Sequence, residues 1–259
     1  MNRVELGARV DGDRLFGVRV DNWPRAASIA QAAEVFGDYW PPRGVKSVEP
    51  ISNSPEKWFD VDFNSALSLQ RFESDFGLYV AESLHDVVAV HAALIKFGDH
   101  VVIFPGASHA GKSSFAIAAM KMGYRVLSDE YALISRESGR VSGWPRPIRI
   151  RQGDGTVRRI PLEAHRQDYP PTHVVQLQFD AKTPNLHLDT LTMGEVAFSL
   201  LANTLCAQSR PEASLRATAA IARIVSGARG VRGDARAALP EFTRWLDETP
   251  SRPLPSQAG

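Results

Sequence analysis

The sequence predicts an α/β fold, and three observations carry that expectation. An apolar run at 101–104, "VVIF", enters a Gly-rich turn and leaves it as the Ala-rich "KSSFAIAAMKM" of 112–122. Runs of strand composition recur on both sides of it, among them "VVAVHAALIKF" at 87–97 and "HVVQLQF" at 173–179. The first 86 residues instead mix brief β-like runs with one helical stretch. The expected organisation is a small N-terminal α+β lobe over 1–86, a core with C-terminal helices over 87–249, and a disordered tail over 250–259.

The elements follow in order. In the lobe, "RVELGARV", "LFGVRV" and "WFDVDF" read as strands and "RAASIAQAAEVFG" as a helix, joined by the Pro-rich connectors "YWPPRG" and "NSPE". The run 87–97 leads through "GDH" into "VVIF", which predicts a hairpin. Gly123 is a natural stop for the helix after the Gly-rich turn. "YRVLSDEYALI" resumes as strand, "ESGR" turns, and "VSGWPRPIRIR" continues extended. Residues 152–172 are polar and broken by proline, so a long surface loop is expected. "HVVQLQF" and "NLHLDTL" alternate as strands. Thr192 and Glu195 stand at capping-box spacing and open a helix. Pro211 opens the next, "PEASLRATAAIARIVSG", and "PEFTRWLDET" is a short last helix.

Composition excludes several classes of function. A net charge of +1 gives no electrostatic footprint for nucleic acid or an anionic membrane. No apolar run reaches the length of a membrane span, and "MNRVELGARVDGDRLFG" has no apolar core of a signal peptide. The single cysteine, Cys206, cannot form an internal disulfide and reads as a small core residue. A cytoplasmic setting is expected.

The turn itself carries chemistry. Gly106, Gly111, Lys112 and Ser113 satisfy G-x-x-x-x-G-K-[ST], the pattern of a phosphate-binding P-loop. Its glycines let backbone N–H groups turn inward around phosphate oxygens, and the following helix points its positive end at them. Lys112 reaches the outer phosphates and the Ser113 hydroxyl can ligate Mg²⁺. Ala107, Ser108, His109 and Ala110 complete the loop and Ser114 follows it. Ser108 and His109 either face solvent or, for His109, lie over a bound nucleotide.

Chain geometry brings further residues to the same end. Asp129 and Glu130 lie 17 and 18 residues beyond Lys112. A helix from Gly111 to Met122 runs about 18 Å away from the loop. A strand from Tyr124 to Ser128 then runs about 17 Å back. The two lengths nearly cancel, so the acid pair returns to the level of the phosphates. One carboxylate there can complete a Mg²⁺ shell and the other can take a proton from an incoming hydroxyl. The hairpin brings His91 to the same end, where it is either catalytic or a satisfied core histidine.

The block from His91 to Ile134 resembles the HPr kinase/phosphorylase family and the looser group of HPr-kinase-related proteins. It has a His 21 residues before the loop Lys, a strand into the loop, a short helix, a Gly and an early acid pair. The family pattern is His-Gly, then Gly-Lys-Ser-Glu, then Asp-Asp. This chain has His91-Ala92, Gly111-Lys112-Ser113-Ser114 and Asp129-Glu130. The resemblance implies a fold like the nucleotide core of phosphoenolpyruvate carboxykinase, with ATP and Mg²⁺ used to phosphorylate a serine hydroxyl. It implies Asp129 as general base, Lys112 on the transferring phosphate, Ser113 and Glu130 on the metal and His91 beside the reacting groups. It also implies an oligomer. Ser114 stands where the family has an acid, and the family's Pro-Gly-Arg-Asn-like C-terminal segment has no counterpart. The likeness is therefore closer to related kinases, including those beside lasso-type peptide pathways, whose acceptor is a serine of a precursor peptide.

"GWPRPIRIR" supplies Arg146, Arg149 and Arg151 after the acid-bearing strand, either to meet a phosphate or carboxylate or as solvated residues of an edge strand. "VRRI" at 157–160 either clasps an acidic peptide or serves only solubility, and the pair Arg216 and Arg223 reads as solvated. The expected function is a Mg-ATP-dependent serine kinase acting on a peptide or protein. The alternatives are a small-metabolite kinase on the same core and a nucleotide-binding regulator without transfer chemistry.

Overall fold

The computed structural model describes residues 4–10, 14–21, 47–49, 55, 57–62, 65–107, 110–144, 146–151, 157–163 and 167–250. The chain divides into two units, Met1–His85 and Asp86–Gly259. None of the described helices is long and apolar enough to cross a membrane.

In the first unit, β1 (Val4–Val10) and β2 (Arg14–Asp21) pair antiparallel, β3 (Ser47–Glu49) lies on the other edge of β1, and β4 (Lys57–Asp62) runs parallel to β2. Helix α1 (Ala66–Ser83) follows, capped by the Ser65 side chain, which accepts from the Ser68 N–H. Its Phe72, Phe76 and Tyr79 recur at helical spacing, and the three rings lie 5.4–6.1 Å from that of Phe59 on β4. The sequence reading assigned no helix here. The helix it did expect, at 25–37, lies outside the described residues.

The second unit is a mixed α/β structure around one eight-stranded sheet. Strands β5 (Val87–Phe97) and β6 (His100–Pro105) form the expected hairpin, turning at Gly98 with φ 56°. After α2 (Lys112–Lys121) come β7 (Arg125–Ser128), β8 (Tyr131–Ser135) and β9 (Val141–Gly143). Strands β10 (Ile148–Arg151) and β11 (Val157–Ile160) form a separate two-stranded ribbon. The expected loop at 152–172 thus contains a strand. Strands β12 (His173–Phe179) and β13 (His187–Leu191) are followed by α3 (Met193–Ala202) and α4 (Pro211–Ile224). Strand β14 (Ser226–Arg232) and α5 (Ala235–Glu248) complete the unit.

Sheet order is β13-β14-β12-β6-β5-β8-β9, with β7 also on β5. Strands β12 and β14 run parallel to β6, while β7 and β8 are antiparallel to β5 and so share the direction of β6. The carboxyl ends of β6, β7, β12 and β14 therefore open toward one edge, where open α/β sheets bind ligands. Strand β5 alternates between two cores. Val88, Val90 and Leu94 meet Val196, Leu200 and Ile221 of α3 and α4 on one face. Ile95 and Phe97 meet Phe115, Ala119, Leu239 and Phe242 of α2 and α5 on the other. Cys206 is fully buried in the first of these cores.

The capping box at Thr192 and Glu195 is present as expected, and Pro211 occupies the first turn of α4. Helix α4 stops at Ile224, short of the expected Gly227, because residues 226–232 are taken into the sheet as β14. Its glycines permit close packing. A Cβ on Gly230 would sit 1.9 Å from the His187 carbonyl oxygen, and one on Gly227 would sit 2.2 Å from Val196 Cγ2.

Candidate active site

The loop from Gly106 to Gly111 joins the end of β6 to the start of α2. Gly111 is the N-cap of α2 at φ 89°, a left-handed conformation that disfavours a side chain, and its carbonyl accepts from the Phe115 N–H at 3.1 Å. Lys112, the first helical residue, donates through Nζ to the carbonyls of Gly106 (2.6 Å) and Ala107 (2.9 Å). One lysine thus ties the two ends of the loop together. Ala110 and Ser113 are half-buried, Ala107 and Ser114 are exposed, and the expected site residues Ser108 and His109 lie outside the described residues.

The acid pair sits in a bend between two strands that run along one neighbour. Strand β7 pairs with β5 at 94–96 and β8 pairs with β5 at 87–91, leaving Asp129 and Glu130 in the gap. The Ala92 N–H donates to the Glu130 carbonyl at 3.0 Å, and the Gly106 N–H donates to the His91 carbonyl at 3.4 Å. The start of the loop, His91 and the acid pair therefore stand at one level on three adjacent strands. This is the level that the chain-length argument predicts.

Asp129 is joined to the loop directly: the Ser113 hydroxyl donates to its Oδ2 at 2.8 Å. Its other oxygen, Oδ1, is buried and has no hydrogen-bond partner among the described residues. Burial, opposed by the Ser113 hydrogen bond and Lys112, pushes the carboxyl up to about 6. Lys112 is shifted down, chiefly by burial, while the charges of Asp129 and Glu130 oppose the shift. His91 is half-buried and also lowered, by burial and then by Lys112, with its ring 6.3 Å from that of Tyr131. A neutral imidazole results at neutral pH.

Glu130 is placed differently from its neighbour. Its Oε2 lies 3.1 Å from Arg146 Nη1 and its Oε1 lies 3.3 Å from Arg149 Nη2. Both carboxylate oxygens are thus engaged by arginines from the segment after β9. Arg146 is 5% exposed and its guanidinium lies 5.7 Å from the rings of both Tyr131 and Trp144. These two arginines serve Glu130, so the solvated-edge reading does not describe them. Arg216 pairs with Glu212 on an exposed helix face.

Sequence reasoning missed two residues at this edge. Arg232, at the end of β14, is 1% exposed and donates through Nη2 to the Gly111 carbonyl (2.7 Å) and through Nη1 to that of Gly233 (2.8 Å). Its guanidinium lies 5.3 Å from the Phe115 ring centre and 5.7 Å from that of Phe179, at the end of β12. The available signal was the stretch "GVRGD" at 230–234, an arginine between glycines after a helix; the strand that places it was not legible.

A divalent cation fits what is present. A hydroxyl and a buried carboxylate with one oxygen unpartnered form a hard oxygen pair beside the loop. Mg²⁺ is held by one or two such protein ligands, with phosphate and water oxygens completing its shell. Among the described residues no group of three or more His, Cys, Asp and Glu is placed to cage a metal. Ser113 and Asp129 are the ligands available, because Glu130 is occupied by arginines.

No protein-family profile matches the chain, and no curated protein matches it. Among solved structures, it is similar to the HPr(Ser) kinase/phosphatase from Coxiella burnetii. The two are 13% identical, the match covers 62% of this chain and 93% of that one, and the TM-score is 0.36. At that score the structural likeness carries no argument.

Proposed function

We propose that this protein is a Mg²⁺-dependent kinase that transfers the γ-phosphate of ATP to a serine hydroxyl of a peptide or protein. The observation that carries the reading is the contact between Ser113 and Asp129: the P-loop serine touches a buried carboxylate whose second oxygen is unpartnered. A purely structural aspartate has no need of a buried oxygen without a partner.

Each residue has a role in this reading. The backbone N–H groups of the loop and the first turn of α2 bind the phosphates. Lys112 exchanges the Gly106 and Ala107 carbonyls for phosphate oxygens. Ser113 and the Asp129 Oδ2 that it touches would hold Mg²⁺, whose charge would stabilise the transferring group. The acceptor oxygen bonds to the γ-phosphorus as the bond to the β–γ bridging oxygen breaks, leaving ADP. Asp129, through Oδ1, takes the hydroxyl proton, a task suited to a carboxyl raised toward neutrality. His91, neutral and level with the acid pair, orients the acceptor. Glu130 can serve the metal only by releasing an arginine; in the observed arrangement it holds Arg146 and Arg149 at the mouth of the site. The serine and peptide character of the acceptor rests on the family resemblance of the His91–Ile134 block.

Titration of Mg-ATP into the protein tests the reading. Lys112→Ala is expected to weaken binding by at least tenfold, since a charge-assisted contact to phosphate is lost. Wild-type affinity in that variant contradicts the proposed cradle. The engagement of Glu130 by two arginines favours a second reading, a nucleotide-binding regulator, in which ATP binds and no phosphate moves.

A further inference from the structure

Asp129 and Phe179 flank the loop from opposite sides. Strand β6, which delivers the loop, lies between β5 and β12 in the sheet. The acid bend belongs to the β5 side. On the other side, β12 pairs with β6 only at His173–Val102 and Val174–Ile103, and it runs on to Phe179 after β6 has ended at Pro105. Phe179 therefore stands beside the loop, past the sheet's edge. Its Cβ is 3.1 Å from where a Cβ on Gly111 would be.

Phe179 is 49% exposed although it abuts Arg232, which is 1% exposed. The Arg232 guanidinium lies over it, and two backbone carbonyls hold that guanidinium in place. The ring is thus backed by a fixed cation, and about half of the residue stays exposed beside the loop. A rigid aromatic face next to a triphosphate cradle, on the side away from the metal and the proton acceptor, suits a planar heterocycle.

We propose that Phe179 is the stacking platform for the nucleobase, braced from behind by Arg232. The proposal rests on the phosphate-binding reading of the loop. Stacking on an aromatic face is tolerant of base identity, so the platform adds affinity for nucleoside triphosphates over bare triphosphate and discriminates little between ATP and GTP.

The test is calorimetric titration of Mg-ATP and, separately, Mg-tripolyphosphate into the full chain as wild type, Phe179→Ala and Phe179→Tyr. The expected result is an ATP affinity about tenfold weaker in Phe179→Ala, unchanged tripolyphosphate affinity, and near wild-type affinity for both ligands in Phe179→Tyr. An equal loss for both ligands in Phe179→Ala overturns the proposal and makes the ring a brace for the loop. Unchanged ATP affinity in that variant overturns it too. Wild type binding tripolyphosphate as tightly as ATP removes the platform while leaving the cradle. Wild type binding neither overturns the cradle and the platform together.

Discussion

Asp129 is held against its own ionisation. Its carboxyl is raised from 3.8 to about 6 because the side chain is buried, and one hydrogen bond from Ser113 only partly offsets that. The sign of the consequence follows from linkage. A folded-state value above the unfolded one favours the protonated form, so the associated stability is full below about pH 4 and lost as pH rises through 6. At pH 7.5 the ionised carboxylate costs the fold on the order of 3 kcal/mol. Asp129→Asn keeps the shape and removes the charge, so its melting temperature, in chelator and without nucleotide, is expected to exceed wild type by several degrees at pH 7.5. The gain should vanish near pH 4. Thermal melts at the two pH values check this; equal melting temperatures at pH 7.5 contradict the strained carboxylate. Residues that trade stability for chemistry behave in this way.

Among the elements, the segment around β10 decides how the acid bend is fixed. Glu130 is shared by a buried arginine and a half-exposed one, and the two should differ in weight. Arg146→Ala removes a partner that is 5% exposed and leaves a cavity against Tyr131 and Trp144. It is expected to cost about 3 kcal/mol by urea unfolding, against under about 1 kcal/mol for Arg149→Ala, which is 27% exposed. Similar costs would mean that the pair acts as one unit. The element that sequence reasoning lost is β14. Alternation cannot announce a strand written "SGARGVR", because two of its positions carry glycine for packing reasons: the sheet neighbour and α3 press on the backbone there. Helix α1 was lost for the opposite reason. Its repeat of Phe72, Phe76 and Tyr79 is helical, but Gly77 and the polar residues between them dilute it.

At the scale of the molecule, what was legible is what local chain geometry dictates. A hairpin, a loop, a helix and a returning strand have lengths that can be added, and they bring His91, Lys112 and Asp129 to one level, linked by the His91–Gly106, Ala92–Glu130 and Ser113–Asp129 hydrogen bonds. What lay beyond reach was contributed by segments distant in sequence. Arg232 and Phe179 reach the loop only because β12 is laid parallel beside β6 and β14 parallel beside β12, pairings between segments distant in sequence that no local pattern encodes. The split of duties between the two acids was likewise not legible, because it depends on which of them the arginines after β9 engage. The central claim is that these residues serve one transferring phosphate. It is tested most directly by incubating γ-labelled ATP and Mg²⁺ with a lysate of the protein's own source and either wild type or Asp129→Asn, with ATP affinity measured in parallel. The account predicts serine-linked label with wild type, at least a hundredfold less with Asp129→Asn, and ATP affinities within about threefold of each other. Undiminished label with Asp129→Asn would contradict it.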